Sequence, residues 1–335
     1  MKKSRAIILI SGGLDSTLAA HVMKSEPVEM LAVFFKNPFT GGKNSNNEAI
    51  SRETAEKLDI PFRVIELSRE YLDIVVSPEH GYGKHMNPCI DCRIYMLKNA
   101  RKIMEEEGYD FIITGEVAGQ RPMSQNNRAM NLIEKEAGLE GSIYRPLSAG
   151  ILDCGSFIEK GLISGESMLL ISGRSRKKQF ALAQKFGLNR KEYSSPAGGC
   201  RLTTEEYSKK FKDLIDHNNA ITLTDIEFLA IGRHFRLDVD FKVIIGRNRR
   251  ENDILEKLAS GDVLKMHAAG YMGPTCIGLG IPDIKKIGIL AGICGRYADC
   301  PEGKKAGFEY LYMGEKGYIE VLPFDESRIK KYKIY

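Results

Sequence analysis

Three groups of residues in this chain combine types and spacing suited to chemistry. The first is Ser11-Gly12-Gly13-Leu14-Asp15-Ser16, directly after the apolar run Ala6-Ile7-Ile8-Leu9-Ile10. A buried strand ends, a glycine turn opens and a helix over residues 16–26 begins. Paired glycines let backbone come close to a ligand and turn its N–H groups inward. The helix aims its positive end at the same spot, which suits a polyphosphate. Ser11 and Ser16 offer hydroxyl donors, and the amides of Gly12 and Gly13 offer a cradle. Asp15 would repel a phosphate unless a cation bridged them, and Mg²⁺ is the simplest bridge. By spacing alone, an ordinary strand–helix connection capped by Asp15 or Ser16 serves equally well. The run matches neither G-x-G-x-x-G nor G-x-x-x-x-G-K-[ST].

The second group is sulfur. Asn87-Pro88-Cys89-Ile90-Asp91-Cys92-Arg93 sets a C-x-x-C pair before a helix, which gathers both sulfurs on one side of a turn and lowers thiol pKa. Zinc would need a second pair, and Cys294 with Cys300 makes a poor one. A redox pair would need a βαβ context that is missing around it. An iron–sulfur cluster held by three thiolates, with one iron open, needs a third cysteine. Cys200, after Pro196-Ala197-Gly198-Gly199, is the candidate, because glycines let its backbone bend into a cleft, and Cys154, in Ile151-Leu152-Asp153-Cys154-Gly155, is its rival.

The third group is basic. Ser172-Gly173-Arg174-Ser175-Arg176-Lys177-Lys178 suits phosphate or RNA, or a solvated first turn of a helix. Cations at a helix N-terminus are unfavourable without an anion, which tilts against the second reading. Further on, Gly246-Arg247-Asn248-Arg249-Arg250 reads most simply as a turn capping the next helix, and His267 alone reads as a core histidine.

The elements that must position these groups alternate. Strands are expected over 6–10, 30–35, 62–67 and 110–114, with helices over 16–26, 48–58 and 93–107. Short apolar strands between amphipathic helices predict an α/β fold with a doubly wound parallel sheet covered on both faces. Ligands of such sheets sit at strand carboxyl ends, here the loops after Ile10, Phe35 and Thr114. Residues 116–170 read as irregular, with a surface loop over 119–127. Helices follow over 179–186 and 203–218. Past residue 233 the pattern changes to strands over 241–245, 276–279 and 317–321 and a helix over 252–259. We expect a nucleotide-binding domain over 1–170, a helical extension carrying Cys200 over 171–233, and a smaller α+β domain over 234–335.

Composition sets the limits. The 335 residues are 43% hydrophobic and 28% charged, with a net charge of +5 that is compatible with an RNA or nucleotide partner. Five apolar residues before the glycine loop are too few for a signal-peptide core or a membrane span, so a cytoplasmic protein is expected. The odd count of seven cysteines favours thiols, metal ligands or redox chemistry over a disulfide framework.

Ser-Gly-Gly-Leu-Asp-Ser after a first strand resembles the SGGxDS signature of the PP-loop ATP pyrophosphatases, which have an adenine-nucleotide alpha-hydrolase-like fold. The resemblance implies ATP and Mg²⁺ at Ser11, Gly12, Gly13, Asp15 and Ser16, and expulsion of pyrophosphate to leave an adenylated substrate. Leu31–Asn37 is similar to the matching strand of tRNA 2-thiouridylases, which implies Phe35 near adenine. Thr114-Gly115-Glu116 resembles their second nucleotide-contacting turn, with Gly115 at the nucleotide. Asn87-Pro88-Cys89-x-x-Cys92 resembles tRNA-thiolating members. In their cluster-dependent forms, Cys89, Cys92 and Cys200 would hold a 4Fe–4S cluster. In their cluster-free forms, Cys92 would be the nucleophile and Cys200 the persulfide carrier.

Residues 234–335, through Ile245–Asp253, Asp262–His267 and Gly273-Pro274, resemble the NFACT-R RNA-binding module of ribosome-quality-control and fibronectin-binding-type proteins. That resemblance implies RNA contact through Arg247, Asn248, Arg249 and Arg250, with Arg174, Arg176 and Lys177 as a second basic patch. Together these imply an ATP-dependent sulfurtransferase acting on a uridine of tRNA, supplied by sulfide or by a persulfide derived from a cysteine desulfurase. No membrane partner is expected, and a homodimer is compatible. The alternatives are a PP-loop ligase or amidating enzyme acting on a small molecule, and a non-enzymatic RNA-binding adaptor.

Overall fold

The apolar runs near the start of the chain become the middle of a parallel sheet. In the computed structural model, which describes residues 3–41, 46–194, 199–218, 220–259 and 262–335, the chain divides into two compact units, Met1–Thr203 and Thr204–Tyr335. The division falls inside the expected 171–233 extension, so Cys200 belongs to the first unit.

The first unit runs β1 (Ser4–Leu9), α1 (Leu14–Met23), β2 (Val28–Lys36), α2 (Asn47–Lys57), β3 (Phe62–Glu66), α3 (Arg69–Val76), α4 (Cys89–Glu107), β4 (Phe111–Thr114), α5 (Asn127–Ala137), β5 (Ile143–Tyr144), α6 (Gly155–Glu159) and α7 (Lys177–Lys185). Among the described residues it holds one five-stranded sheet in the order β3-β2-β1-β4-β5, parallel throughout. Successive side chains of a strand point to opposite faces, and both faces here are buried. Ala6, Ile8 and Ile10 pack with Phe34, Phe111 and Phe157 on one side. Ile7 and Leu9 pack with Ile94, Leu97 and Ile103 of α4 and Ile133 of α5 on the other. The strand order reverses at β1, with β2 and β3 added on one side and β4 and β5 on the other, so the loops after β1 and β4 diverge and leave a crevice at their carboxyl ends.

The expectation of irregular structure over 116–170 is corrected. It contains α5, β5 and α6. Asn126 caps α5 through its side chain, which accepts from Ala129 N, and Gly138 ends it in the left-handed conformation. α3 was not anticipated, and α4 begins at Cys89 rather than Arg93, so the C-x-x-C pair forms its first turn.

The second unit runs α8 (Glu205–His217), α9 (Leu223–Leu229), β6 (Arg233–Asp238), β7 (Phe241–Ile245), α10 (Arg249–Leu258), β8 (Leu264–Ala268), β9 (Cys276–Leu279), α11 (Ile284–Arg296), β10 (Ala306–Tyr312), β11 (Glu315–Val321) and α12 (Glu326–Ile329). Among the described residues its strands form one antiparallel sheet, β11-β10-β8-β9-β7-β6. Leu290, Ala291, Ile293 and Cys294 of α11 pack on one face. Phe228 of α9 and Leu255 of α10 pack on the other. No described helix is long and apolar enough to cross a membrane.

Two glycines in the first unit are fixed by close approach. Gly12 has φ +67°, and a Cβ there would lie 2.6 Å from the carbonyl oxygen of Asn47. A Cβ on Gly115 would lie 2.5 Å from Ser16 N and 2.6 Å from Asp15 C, because the end of β4 abuts the first turn of α1. Only backbone lies opposite, so nothing flexible can yield. Gly115→Ala is expected to destabilise the protein by about 2–3 kcal/mol through overpacking, read as a lower midpoint in urea unfolding.

Candidate active site

A cleft of about 290 Å³ lies at the carboxyl edge of the parallel sheet. It is lined by Ser11, Gly13, Asp15 and Ser16 of the glycine loop, Phe35 from the end of β2, Cys89 and Cys92 from α4, Gly115 after β4, and Cys200. Residues separated by almost the whole first unit thus face one space.

The glycine loop is braced from within. Ser16 Oγ accepts from Ser11 N at 3.1 Å, donates to Gly13 O at 3.0 Å and lies 3.0 Å from Ser11 Oγ. The Ser16 hydroxyl therefore holds the loop closed, while Ser11 is exposed at the cleft. Gly13 is the N-cap of α1 and carries no capping side chain, so the first-turn N–H groups have no intrahelical acceptor and stay open to an anion.

Asp15 is mostly sequestered. Its Oδ2 accepts from Gln120 Nε2 at 2.5 Å, and Gln120 Oε1 accepts in turn from the fully buried Gln179 of α7 at 2.6 Å. Oδ1 is buried with no hydrogen-bond partner among the described residues. Burial raises the carboxyl pKa above its usual value, while Gln120 and the charges of Arg176 and Arg121 oppose the rise. An orphaned carboxylate oxygen beside open helix amides fits a divalent cation shared with phosphate.

Cys200 reaches the cleft through two backbone tethers. Ser194 N donates to Gly12 O at 2.7 Å, with a parallel bridge between Gly13 and Ser194. Thr40 and Cys200 form an antiparallel bridge, and Arg201 N donates to Phe39 O at 2.9 Å. The Pro196-Ala197-Gly198 stretch of the expected turn lies outside the described residues. Cys154, the competing third thiol, sits in the apolar core with Phe111, Tyr144 and Phe157, and does not line the cleft.

The sulfurs are in a low-dielectric place. Burial, joined by repulsion from Cys89, pushes the Cys92 thiol up to about 11 against the lowering effects of Tyr71 and Arg93. Burial and the neighbouring Cys92 and Cys89 push Cys200 up to about 12. Without a positive partner these groups stay protonated at neutral pH. The donor set, three thiols on one cleft, suits iron in its chemistry. Among the described residues, however, no three His, Cys, Asp or Glu side chains are already gathered as an ion site. Asp91, between the cysteines, is turned away from the sulfurs. It accepts from His80 N at 3.2 Å and pairs with His80 Nδ1 at 2.9 Å.

Glu116 is a buried residue of the cleft lining and lies 2.8 Å from Arg93 Nε and 2.9 Å from Arg145 Nε. Arg145 also pairs with Glu134. Burial pushes the Glu116 carboxyl up, but the two guanidinium groups overcome it and hold the pKa at about 2. Glu116 thereby anchors Arg93, and both line the cleft.

The basic residues separate. Gly173 N donates to Ala118 O at 2.8 Å, which brings the 172–178 run beside the turn after β4. The charge of Arg176 acts on Asp15, and the buried Arg176 Nε has no hydrogen-bond partner among the described residues. This residue, expected at RNA, belongs to the surroundings of the glycine loop, whereas Arg174 and Lys177 are exposed. In the second unit Asn248 caps α10 by accepting from Glu251 N at 3.0 Å, and Arg247 Nη2 pairs with Glu251 at 2.7 Å. Arg249 and Arg250 are exposed, with no ion-pair partner among the described residues.

Sequence reasoning missed Asn37, Tyr71, Arg93, Gln120, Arg121 and Gln179. Asn37 directly follows a strand end, and Gln120 lies in a glycine-bounded turn after another. Both positions obey the carboxyl-edge rule, which was the available signal.

The ionised Glu116 is worth most above the ordinary carboxylate value of 4.5, and its contribution disappears as pH falls towards about 2. Glu116→Gln leaves Arg93 and Arg145 undercompensated and is expected to lose about 3 kcal/mol at pH 7. Urea unfolding across pH 2.5 to 7, a range of about four units, should show the mutant's deficit shrinking on acidification.

Residues 2–151 match the family described as "Thiamine biosynthesis protein (ThiI)", and residues 232–333 match the "NFACT protein RNA binding domain". A tRNA-specific 2-thiouridylase MnmA 2 of Clostridium botulinum is 31% identical over 125 residues, covering 34% of this chain and 35% of that protein. The tRNA-specific 2-thiouridylase MnmA of Malacoplasma penetrans is 26% identical over 238 residues, covering 64% of this chain and 60% of its own. Among solved structures, a 4-thiouridine synthetase–RNA complex with bound ATP is 25% identical, with a TM-score of 0.34 over 55% of this chain and 51% of that one. The chain spans about a third of the length of the first of these curated relatives, 35%. Over residues 2–151 the chain resembles the PP-loop enzymes of tRNA thiolation, and over residues 232–333 it resembles the NFACT RNA-binding domain.

Proposed function

We propose that this protein is an ATP-dependent sulfurtransferase that replaces a carbonyl oxygen of a tRNA uridine with sulfur. The observation that carries the reading is the shared cleft: the glycine loop and the thiols of Cys89, Cys92 and Cys200 line one space. A nucleotide site with no sulfur beside it would fit a ligase equally well.

A uridine carbonyl oxygen is a poor leaving group. Its attack on the α-phosphate of ATP forms an O–P bond, breaks the α–β phosphoanhydride and expels pyrophosphate. The oxygen then leaves as part of AMP. In this reading Ser11, the amides of Gly12 and Gly13 and the first turn of α1 hold the phosphates, Phe35 lies against adenine, and Arg176 adds positive charge beside Asp15. Asp15 would hold Mg²⁺, which when bound offsets the charge of the breaking triphosphate.

Sulfur follows on the thiol side of the cleft. A persulfide on Cys200 is loaded by transfer of the outer sulfur from a cysteine-desulfurase persulfide, whose thiol is thereby released. It attacks the adenylated carbon through its outer sulfur. The C–S bond forms, the C–O bond breaks and AMP departs. Cys92 then attacks the inner sulfur, its proton passing to the released thiouracil ring, which leaves a Cys92–Cys200 disulfide and the thiocarbonyl, and a dithiol reductant restores both thiols. Cys89, Cys92 and Cys200 are also the residues that would hold a 4Fe–4S cluster, whose chemistry when bound is to carry hydrosulfide on an open iron. The second unit would hold the RNA, as its match to an RNA-binding family suggests.

Unmodified tRNA, ATP, Mg²⁺, a dithiol reductant and a cysteine desulfurase supplied with sulfur-labelled cysteine test the reading. Wild-type protein should release pyrophosphate and label the RNA. Asp15→Asn should lose both by at least about a hundredfold. Cys200→Ala should keep pyrophosphate release and lose label, and Cys154→Ala should keep both. Label absent from RNA, with a small carboxylic acid adenylated instead, would leave the ligase reading standing. Separately, Arg249→Ala with Arg250→Ala should weaken tRNA binding and flatten the slope of log affinity against log salt by about 1 to 2.

A further inference from the structure

The hydrogen bonds around Cys92 have a fixed direction. Phe39 N donates to Asn37 Oδ1 at 2.8 Å. A backbone N–H can only donate, so the Asn37 amide has one orientation and its Nδ2 faces Tyr71. That Nδ2 donates to Tyr71 Oη at 2.7 Å. A phenol has one proton. With its oxygen occupied as acceptor, Tyr71 turns that proton to the remaining neighbour, Cys92 Sγ, at 3.1 Å. Among the described residues no other acceptor is in reach of this hydroxyl. Tyr71 is 1% exposed. Its ring is wedged between Phe39 and Tyr95 at centroid distances of 6.3 and 5.7 Å, so the hydroxyl cannot swing away.

We propose that Tyr71 is a positioning residue for Cys92, holding its sulfur as a hydrogen-bond acceptor facing the cleft, and that Asn37 sets the direction of that bond. The device deepens the sulfur-transfer reading and rests on it for its purpose, though not for its geometry. The bond fixes which way the sulfur lone pairs point, and so how the sulfur meets an atom entering the cleft. The segment that carries Asn37 and Phe39 continues to Thr40, the bridge partner of Cys200. One loop after β2 therefore aligns Cys92 through Tyr71 and anchors Cys200 directly.

The test uses two variants of the full chain. Tyr71→Phe removes the donor and keeps the ring. Asn37→Asp keeps the acceptor for Phe39 N but cannot donate, so its second oxygen captures the Tyr71 proton and turns it from the sulfur. The first readout needs no RNA: alkylation by iodoacetamide at one fixed pH, with Cys92, Cys89 and Cys200 resolved by peptide mass. Both variants should slow alkylation of Cys92 about tenfold and leave Cys89 within twofold of wild type, and the double variant should be no slower than Tyr71→Phe alone. The second readout is turnover, where Tyr71→Phe should slow sulfur transfer about tenfold while pyrophosphate release stays within twofold. Unchanged Cys92 alkylation in both variants overturns the inference, whatever the turnover. Slowed alkylation in a protein that labels no RNA upholds the inference and removes the sulfur-transfer reading. Should Tyr71→Phe fail to fold, Asn37→Asp decides alone, since it leaves the ring packing intact.

Discussion

The site depends on one constraint: every strand of the first sheet points the same way. A parallel sheet sends all its carboxyl ends to a single edge, so the loops after β1, β2 and β4 must meet there. Two backbone tethers then return a distant segment to that edge. Ser194 pairs with the glycine loop and Cys200 pairs with Thr40. A backbone bridge does not depend on side-chain identity, so the third thiol is held by the same kind of force that builds the sheet itself. Without both tethers Cys200 would have no reason to face the glycine loop.

The cleft is also a place where charge is rationed by burial. Glu116 shows what compensation looks like: two guanidinium groups keep a fully buried carboxyl ionised. Asp15 and the thiols are less complete. Asp15 keeps an unpartnered oxygen, and Cys92 and Cys200 stay protonated under ordinary conditions. Groups left short of partners in a low-dielectric cleft favour a cation on one side and an electrophile or metal on the other. The proposed chemistry supplies both, which is why the two halves read as one site. Gln179 and Arg176 extend the same logic: Gln179 holds the Gln120 amide that meets Asp15, and the charge of Arg176 favours the ionised carboxylate.

Much was legible in advance because it is local. Val, Ile and Phe runs of strand length next to glycine turns forced the parallel sheet, and the glycine loop announced an anion site through backbone geometry alone. The calls that failed were those without a local signature. α5 was read as irregular because its amphipathic stripe follows a polar loop, and α3 went unseen because eight residues give periodicity too little to work with. Arg247 and Asn248 illustrate a different ambiguity. The same residues that suit RNA also make an ion pair and a helix cap, and at Asn248 the cap is occupied.

The sequence by itself determined the sheet, the glycine loop, the cysteine pair and the change of character past residue 233, because each arises from neighbours within a few residues. The resemblance to tRNA-thiolating enzymes already implies Cys200 as the third cysteine, while spacing alone leaves Cys154 as a close rival. Tertiary structure alone shows which of the two lines the cleft. Packing put Cys154 among Phe111 and Phe157 and Cys200 at the cleft. It also decided that Tyr71 would touch Cys92, a contact across 21 positions that depends on the amide orientation of Asn37. Such contacts depend on where whole elements come to rest, and no spacing rule along a single strand or helix encodes that.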